Sequence, residues 1–356
     1  MKFKIILLLL LIFLTGCHSS DSISDTLFVN TVGIDYNKET KEYHVYYHMT
    51  NPNTLTTAAL GGSSQENTFS IAQAKGETIF IAMQTIASNS NKKIKLTHVQ
   101  TYLFTLDFIN FDNLKSFHEF IKTSPYLYSD FRILATDSKL SDILQISDIE
   151  EESPYYSLIV SSNDAEEIYK MTSIISFSRG ITEKNYGINL PLIRHTTDIW
   201  SSQDNEIYSL SIVGSVFINQ NDNILLLEEK DYQIIFLIKT KKNATVTIKN
   251  YQYFMTKHNY KVKHIKDNNF LIKINVVAYV TKFGDNLENP KNLFIKEMET
   301  SLSNIINKSK ENNIDIFSIK EILYRKNQLK SDFDIKDANY QYEFNVKLIS
   351  TIEDKQ

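Results

Sequence analysis

The chain has 356 residues, 42% hydrophobic and 22% charged, the mixture of an ordinary globular protein rather than a disordered one. Its 38 Lys and Arg against 42 Asp and Glu leave a formal charge of −4, and only four of the cations are arginines (Arg132, Arg179, Arg194, Arg325). This mildly acidic balance argues against nucleic acid as a partner, which demands a basic face, and leaves few forks for bidentate phosphate or carboxylate clamps.

Met1-Lys2-Phe3-Lys4 puts two cations ahead of an unbroken apolar run of ten residues, Ile5 to Leu14. As a helix such a run covers about half of the roughly 30 Å of hydrocarbon in a bilayer. It therefore reads as the h-region of a secretory signal, not as a span. Leu14-Thr15-Gly16-Cys17 follows and resembles the lipobox of bacterial lipoproteins. Small residues there let the signal peptidase reach the backbone, and the Cys17 thiol accepts a diacylglycerol. Cys17 is the sole cysteine, so no intrachain disulfide competes for it. One acyl chain binds a membrane only reversibly, whereas the two of a diacylglycerol anchor it stably. Residues 1–16 are thus expected to be a cleaved signal peptide and residues 17–26 a lipidated polar tether on the outer face of a membrane. No later stretch approaches about 18 consecutive apolar residues, so no second span is expected.

Thr26–Asp35 reads as a strand, residues 37–41 as a turn, and Glu42–Met49 as the partner strand, with Tyr43, Val45, Tyr47 and Met49 alternating with His44, Tyr46 and His48. A Gly61-Gly62-Ser63-Ser64 loop leads to a helix near Glu77–Ser88, whose Ile79, Ala82, Met83 and Ile86 share a face. A strand over Ile94–Phe104, a helix over Phe111–Lys122, a strand over Phe131–Thr136 and a short helix over Leu140–Ile146 follow. This alternation predicts a mixed α/β domain over residues 27–149. The acidic Glu150-Glu151-Glu152 stretch marks a boundary, and residues 150–205 are expected to be a helical segment followed by an irregular connector, Pro191 to Asn205. Residues 206–352 read as a β-rich α+β domain with strands near 210–218, 224–227, 232–239, 244–249, 261–265, 270–280 and 342–350. Its one long helix, Asn292–Glu311, carries Phe294, Ile295, Met298, Leu302, Ile305 and Ile306 along one stripe. That stripe is expected to be buried on strands bearing Ile272, Ile274 and Val276.

Patterns that carry chemistry are mostly missing. Gly61-Gly62 lacks the downstream Gly-Lys-Ser/Thr of a phosphate loop. There is no His-Glu-x-x-His and no Cys/His cluster for a metal. His44 and His48 on one strand would lie about 13 Å apart, too far for a shared ion, and are expected on an exposed or interface face. Ser215 has no nucleophile elbow around it. His98 has no visible partner as a base, and Arg194-His195 reads as part of a solvated connector. Asn243-Ala244-Thr245 and Asn307-Lys308-Ser309 match glycosylation sequons, which a bacterial lipoprotein does not normally use. No catalytic residue, metal ligand or cofactor is expected.

The ordered set of segments resembles the C subunits of spore germinant receptors, the Ger(x)C lipoproteins of endospore-forming bacteria. The likeness begins at Leu14-Thr15-Gly16-Cys17 and continues through Val32-Gly33-Ile34-Asp35, the helix from Gly76-Glu77, and Leu96-Thr97-His98-Val99. It runs on through Pro125, Pro191-Leu192-Ile193, Val213-Gly214-Ser215-Val216-Phe217, and the long helix leading to Asn313-Ile314-Asp315-Ile316-Phe317. The chain departs from the family pattern at His18-Ser19-Ser20-Asp21-Ser22, at Thr123-Ser124-Pro125, and at Tyr340 and Tyr342, where tryptophan is usual. The resemblance implies a multidomain α/β fold without catalytic activity, held through Cys17 on the outer face of the spore's inner membrane. It also implies a membrane-embedded A subunit and a transporter-like B subunit as partners, in a complex that answers small nutrients. A solute-binding lipoprotein is the alternative, but it favours two doubly wound lobes around a cleft, unlike this β-rich second half. A lipid-anchored hydrolase lacks its nucleophile. No tightly bound small molecule is expected.

Overall fold

β1 (Thr26–Asn37) and β2 (Glu42–Thr50) form the expected hairpin, closed by Asn37, whose side chain accepts the backbone N–H groups of Glu39 and Thr40 at 2.9 and 3.0 Å. The computed structural model describes residues 25–50, 69–124, 131–146, 172–202, 205–228, 244–282, 288–329 and 333–350, with Asp231 and Ile234 besides. Thr31 to Ile34 are buried in succession rather than alternately, as befits a strand with both faces covered.

β1 lies inside a ten-stranded mixed sheet. Its main path runs β10 (Ile224–Glu228), β9 (Asn205–Ile218), β8 (Ile188–Ser202), β6 (Arg132–Thr136), β5 (Thr101–Thr105), β1, β2 and β3 (Phe69–Gly76). β4 (Lys93–Lys95) lies beside β1, and β7 (Thr172–Ser173) beside β6. One face is covered by α1 (Ile79–Ser88), α2 (Phe111–Thr123) and α4 (Ile174–Thr182), which contribute Ile79, Ala82, Met83, Ile86, Leu114, Phe117, Phe177 and Ile181 to its core. Behind the opposite face, α3 (Leu140–Ile143) and Leu144 pack on Leu103, Leu134 and Ile193. Parallel pairing of β1 with β5, β5 with β6 and β6 with β8 needs long crossovers. The helix between β5 and β6 supplies one.

Local chemistry explains where these helices begin. Thr78 caps α1 by accepting the Ile81 N–H at 3.1 Å, and Asn110 caps α2 by accepting the Asn113 N–H at 2.9 Å.

The second sheet has the order β11 (Ala244–Ile248), β12 (Tyr251–Lys266), β13 (Asn269–Lys282), β14 (Asn339–Ser350). The first three strands are antiparallel, and β14 returns parallel to β13. That return is bridged by α5 (Pro290–Glu311) and α6 (Ile319–Arg325). α5 starts where Asn289 accepts the N–H groups of Lys291 and Asn292 and Pro290 occupies the first turn, whose N–H would be orphaned anyway. The expected stripe is buried as predicted: Phe294, Leu302 and Ile305 are fully covered, against Ile272, Ile274 and Val276.

Several segments depart from expectation. Ile94–Phe104 is two strands, because both pair with β1 and a turn at Thr97-His98 takes up the slack opposite an irregularity in β1 at Asn30. Pro191–Asn205 is not an irregular connector: most of it is the long strand β8, with β9 as its antiparallel partner. Pro191 is tolerated because β6 pairs with β8 only from Leu192 onward, leaving the missing N–H unneeded. β3 and α6 were not anticipated at all. The helical segment expected after Pro154 is described only from Thr172, where β7 and α4 lie; residues 232–239 hold only Ile234 among the described residues.

The end of β9 is shared between two cores, while its earlier Leu210 and Ile212 pack with Leu103 and Leu134 behind the first sheet. Val216 and Ile218 pack into the core of the first sheet, whereas Phe217 joins Leu225 and Leu227 in the core of the second. Gly214 sits where this strand meets β10, and a Cβ there would collide with the Leu227 carbonyl oxygen.

Candidate interaction surfaces

Cys17 and most of the tether lie outside the described residues. Of the histidines singled out by sequence, His48 is not exposed: it is buried between Thr31 of β1 and Ile71 of β3 and stacks on Phe69, with ring centroids 4.8 Å apart. Burial lowers its pKa from 6.5 to about 4. His98 stands in the turn after β4, edge-on to Phe28 at 4.7 Å. Arg194 projects from β8 onto Asp137 and Glu228, and the hydrogen bonds to Asp137 foremost hold its pKa above the usual guanidinium range. It is a staple, not half of a site with His195. Ser215 donates to the Leu190 carbonyl at 3.0 Å and so completes the sheet. Among the described residues no group of three His, Cys, Asp or Glu is placed to hold a metal ion. A small hollow beside His258, lined also by Met255, Phe294 and Met298, has about 10 Å³ of free space, room for one water molecule.

The two sheets meet at a polar seam. Arg179 of α4 donates to Glu183 at 3.0 Å, to the Tyr186 hydroxyl at 3.0 Å, and to Glu321 of α6 at 3.4 Å. Its guanidinium lies 3.9 Å from the centre of the Tyr186 ring, and Arg325 shares Glu321 from the other side. Hydrogen bonding to Arg179 holds the Glu183 carboxyl below the usual carboxylate range. Nearby, Asn219 donates to the Asn313 carbonyl at 2.9 Å and Gln220 to the Ile181 carbonyl at 3.1 Å. The turn between β9 and β10 thus grips the ends of both α4 and α5.

Away from the seam, the face of the second sheet turned from α5 is polar and open. Asn259, Asn275 and Asn345 form a row across three strands, with Asn275 donating to Asn259 at 2.8 Å and Asn345 to Asn275 at 2.9 Å. Around that row stand Lys257, Lys261, Lys263, Lys273 and Lys347, with the single carboxylate Glu343 paired to Lys273. The hydrogen bond from Lys273 is the main reason the Glu343 pKa is depressed. At one end Phe254, Tyr279 and Ile349 are register neighbours and half-exposed, Tyr279 to 40%. Sequence reasoning missed this face, although the alternation Lys261-Val262-Lys263 is the period-two signal that could have found it.

With this geometry in hand, the comparisons with known proteins are informative. Residues 19–195 match the family model of the spore germination protein N-terminal domain. The crystal structure of the GerBC protein is similar over 89% of this chain and 96% of its own, with a TM-score of 0.53 at 13% identity. At that identity the likeness speaks for the fold: a ten-stranded mixed sheet, a four-stranded sheet and the long helix α5. No curated protein matches the chain by sequence. Through its N-terminal domain the chain belongs to the Ger(x)C family of spore germination proteins. Among the described residues, no helix is long and apolar enough to cross a membrane.

Proposed function

We propose that the chain is a non-catalytic, lipid-anchored subunit of a spore germinant receptor. Cys17 carries the lipid on the outer face of the spore's inner membrane, and the folded part contacts a membrane-embedded A subunit and a transporter-like B subunit. The observation that carries this reading is the family match over residues 19–195, which begins two residues after Cys17. The side chains that looked chemically suggestive in the sequence are engaged in packing or stapling: His48 in a stack, Arg194 in ion pairs, Ser215 in the sheet. A subunit of this kind offers surfaces rather than a reaction, and the edges of β3 and β14, each with one partner strand among the described residues, are such surfaces.

Replacing Cys17→Ala tests the anchor and the role together. The variant should leave the membrane fraction, lose palmitate labelling, and impair nutrient-triggered germination of spores that depend on this chain. Co-purification of the lipidated protein with A- and B-type subunits should accompany normal germination. Unchanged labelling and sedimentation in the variant would overturn the anchor; absence of the two subunits from a solubilised complex would overturn the receptor reading.

A further inference from the structure

The open face of the second sheet has a charge opposite to that of the chain. Five lysines and one carboxylate stand on it, on a protein whose formal charge is −4. Glu343 is ion-paired with Lys273 and is also drawn by the charge of Lys263; among the described residues no carboxylate forms an ion pair with Lys257, Lys261 or Lys347. Three strands about 5 Å apart and about 3.3 Å per residue put these groups within a patch of roughly 10 by 20 Å. That spacing is comparable to the Debye length of about 8–10 Å, so the ammonium groups act as one field.

Three features choose the occupant. The cations are all lysine, compact point charges without the planar fork that suits a single discrete phosphate or carboxylate. The asparagine amides bond one another across the strands and so hold the middle of the face level without offering a recess. The basic area ends in Phe254, Tyr279 and Ile349, an aromatic and aliphatic band beside lysines, the combination that favours the headgroup layer of a bilayer.

We propose that this face docks on an anionic phospholipid surface, the lysines lying over the phosphates and Tyr279 and Ile349 entering the interfacial layer. The proposal goes beyond a lipid anchor, because it fixes which side of the folded part faces the membrane.

The test uses the full chain carrying Cys17→Ala, so that no attached lipid contributes and failure of the anchor leaves the measurement untouched. Its co-sedimentation is compared between vesicles of phosphatidylcholine alone and vesicles with about a third phosphatidylglycerol. The N-terminal apolar run contributes to both, so the gain on adding the anionic lipid is the readout. Binding should rise about tenfold with anionic lipid and fall back as salt is raised from about 0.05 to 0.5 M. Lys261→Glu with Lys347→Glu should abolish the gain. Lys261→Gln with Lys347→Gln, which keeps the stems and removes only charge, should reduce it. No gain with anionic lipid, or a gain that both double variants retain, would overturn the proposal. So would duplex DNA or RNA binding this face more tightly than the vesicles do.

Discussion

Arg179 of α4 and Glu321 of α6 meet at 3.4 Å although 142 residues separate them. The contact ties a helix of the first sheet to a helix of the second, and Arg325 closes on the same carboxylate. Glu321→Gln should loosen both guanidinium contacts while leaving each core intact. Amide hydrogen exchange should speed up in α4 and α6 and stay unchanged in β1 and β5. An exchange pattern identical to the unmodified chain would mean that the seam is held by Asn219 and Gln220 alone.

Leu302 is fully buried in the stripe of α5 against the second sheet. Truncating it to alanine removes contacts and leaves a cavity, at a cost of about 2–5 kcal/mol. Leu302→Ala should lower the melting temperature by several degrees. Lys296→Ala, on the exposed side of the same helix, should not. Equal melting temperatures for the two variants would place the stripe at a partner interface instead.

His48 makes folding sensitive to acid. In the folded chain burial holds its pKa near 4, whereas the unfolded chain takes up the proton near 6.5. Between those values the unfolded state binds more protons, so stability falls as the pH drops from about 6.5 to about 4 and is fully present above that window. At about 1.4 kcal/mol per pH unit the loss reaches roughly 3 kcal/mol. Desolvation lowers the pKa of His118 as well, a contribution of the same sign. Urea unfolding as a function of pH should show this slope, and His48→Phe, which keeps an aromatic ring on Phe69, should flatten most of it.

Gly214 stands where any side chain would strike the Leu227 carbonyl oxygen of β10. Backbone cannot swing aside as a flexible side chain does, so Gly214→Ala should cost about 1–3 kcal/mol by displacing β10. Gly33→Ala meets methyl groups of Leu140 at 3.1 Å and of Leu144 at 3.3 Å, side-chain ends that can give by a rotamer, and should cost less. Denaturant midpoints of the two variants measure the difference.

What the sequence disclosed follows from period. Strand β2, helix α2 and the α5 stripe carry long, regular apolar patterns, and each formed where expected. Short or two-faced elements carry no such signal. α6 has seven residues, too few for a helical repeat, and is nucleated by Asp315, whose carboxylate accepts the N–H groups of Ile319 and Lys320 at 2.8 and 2.7 Å. β8 was masked by Pro191, read as a breaker when the strand had one neighbour to satisfy at that point. The tyrosines that stand where the family has tryptophan are packing residues here: Tyr340 sits 6.1 Å from both Phe270 and Phe317. The basic face was hidden for another reason. Whole-chain charge averages over surfaces, and an acidic total is compatible with a positive sheet face once the fold has sorted the lysines to one side.

The division of the Val216–Ile218 end of β9 between two cores bears on how its register is kept. Successive side chains of a strand point to opposite faces, so a slip by one residue exchanges the two sets. Such a slip would drive the Phe217 ring into the space built for Val216 and Ile218, and would hand two small aliphatics to the cavity left beside Leu225 and Leu227. One core would be overfilled and the other left hollow by the same error. Two separate bodies of side chains therefore proofread one strand, and neither can settle into an alternative packing unless the other accepts it too.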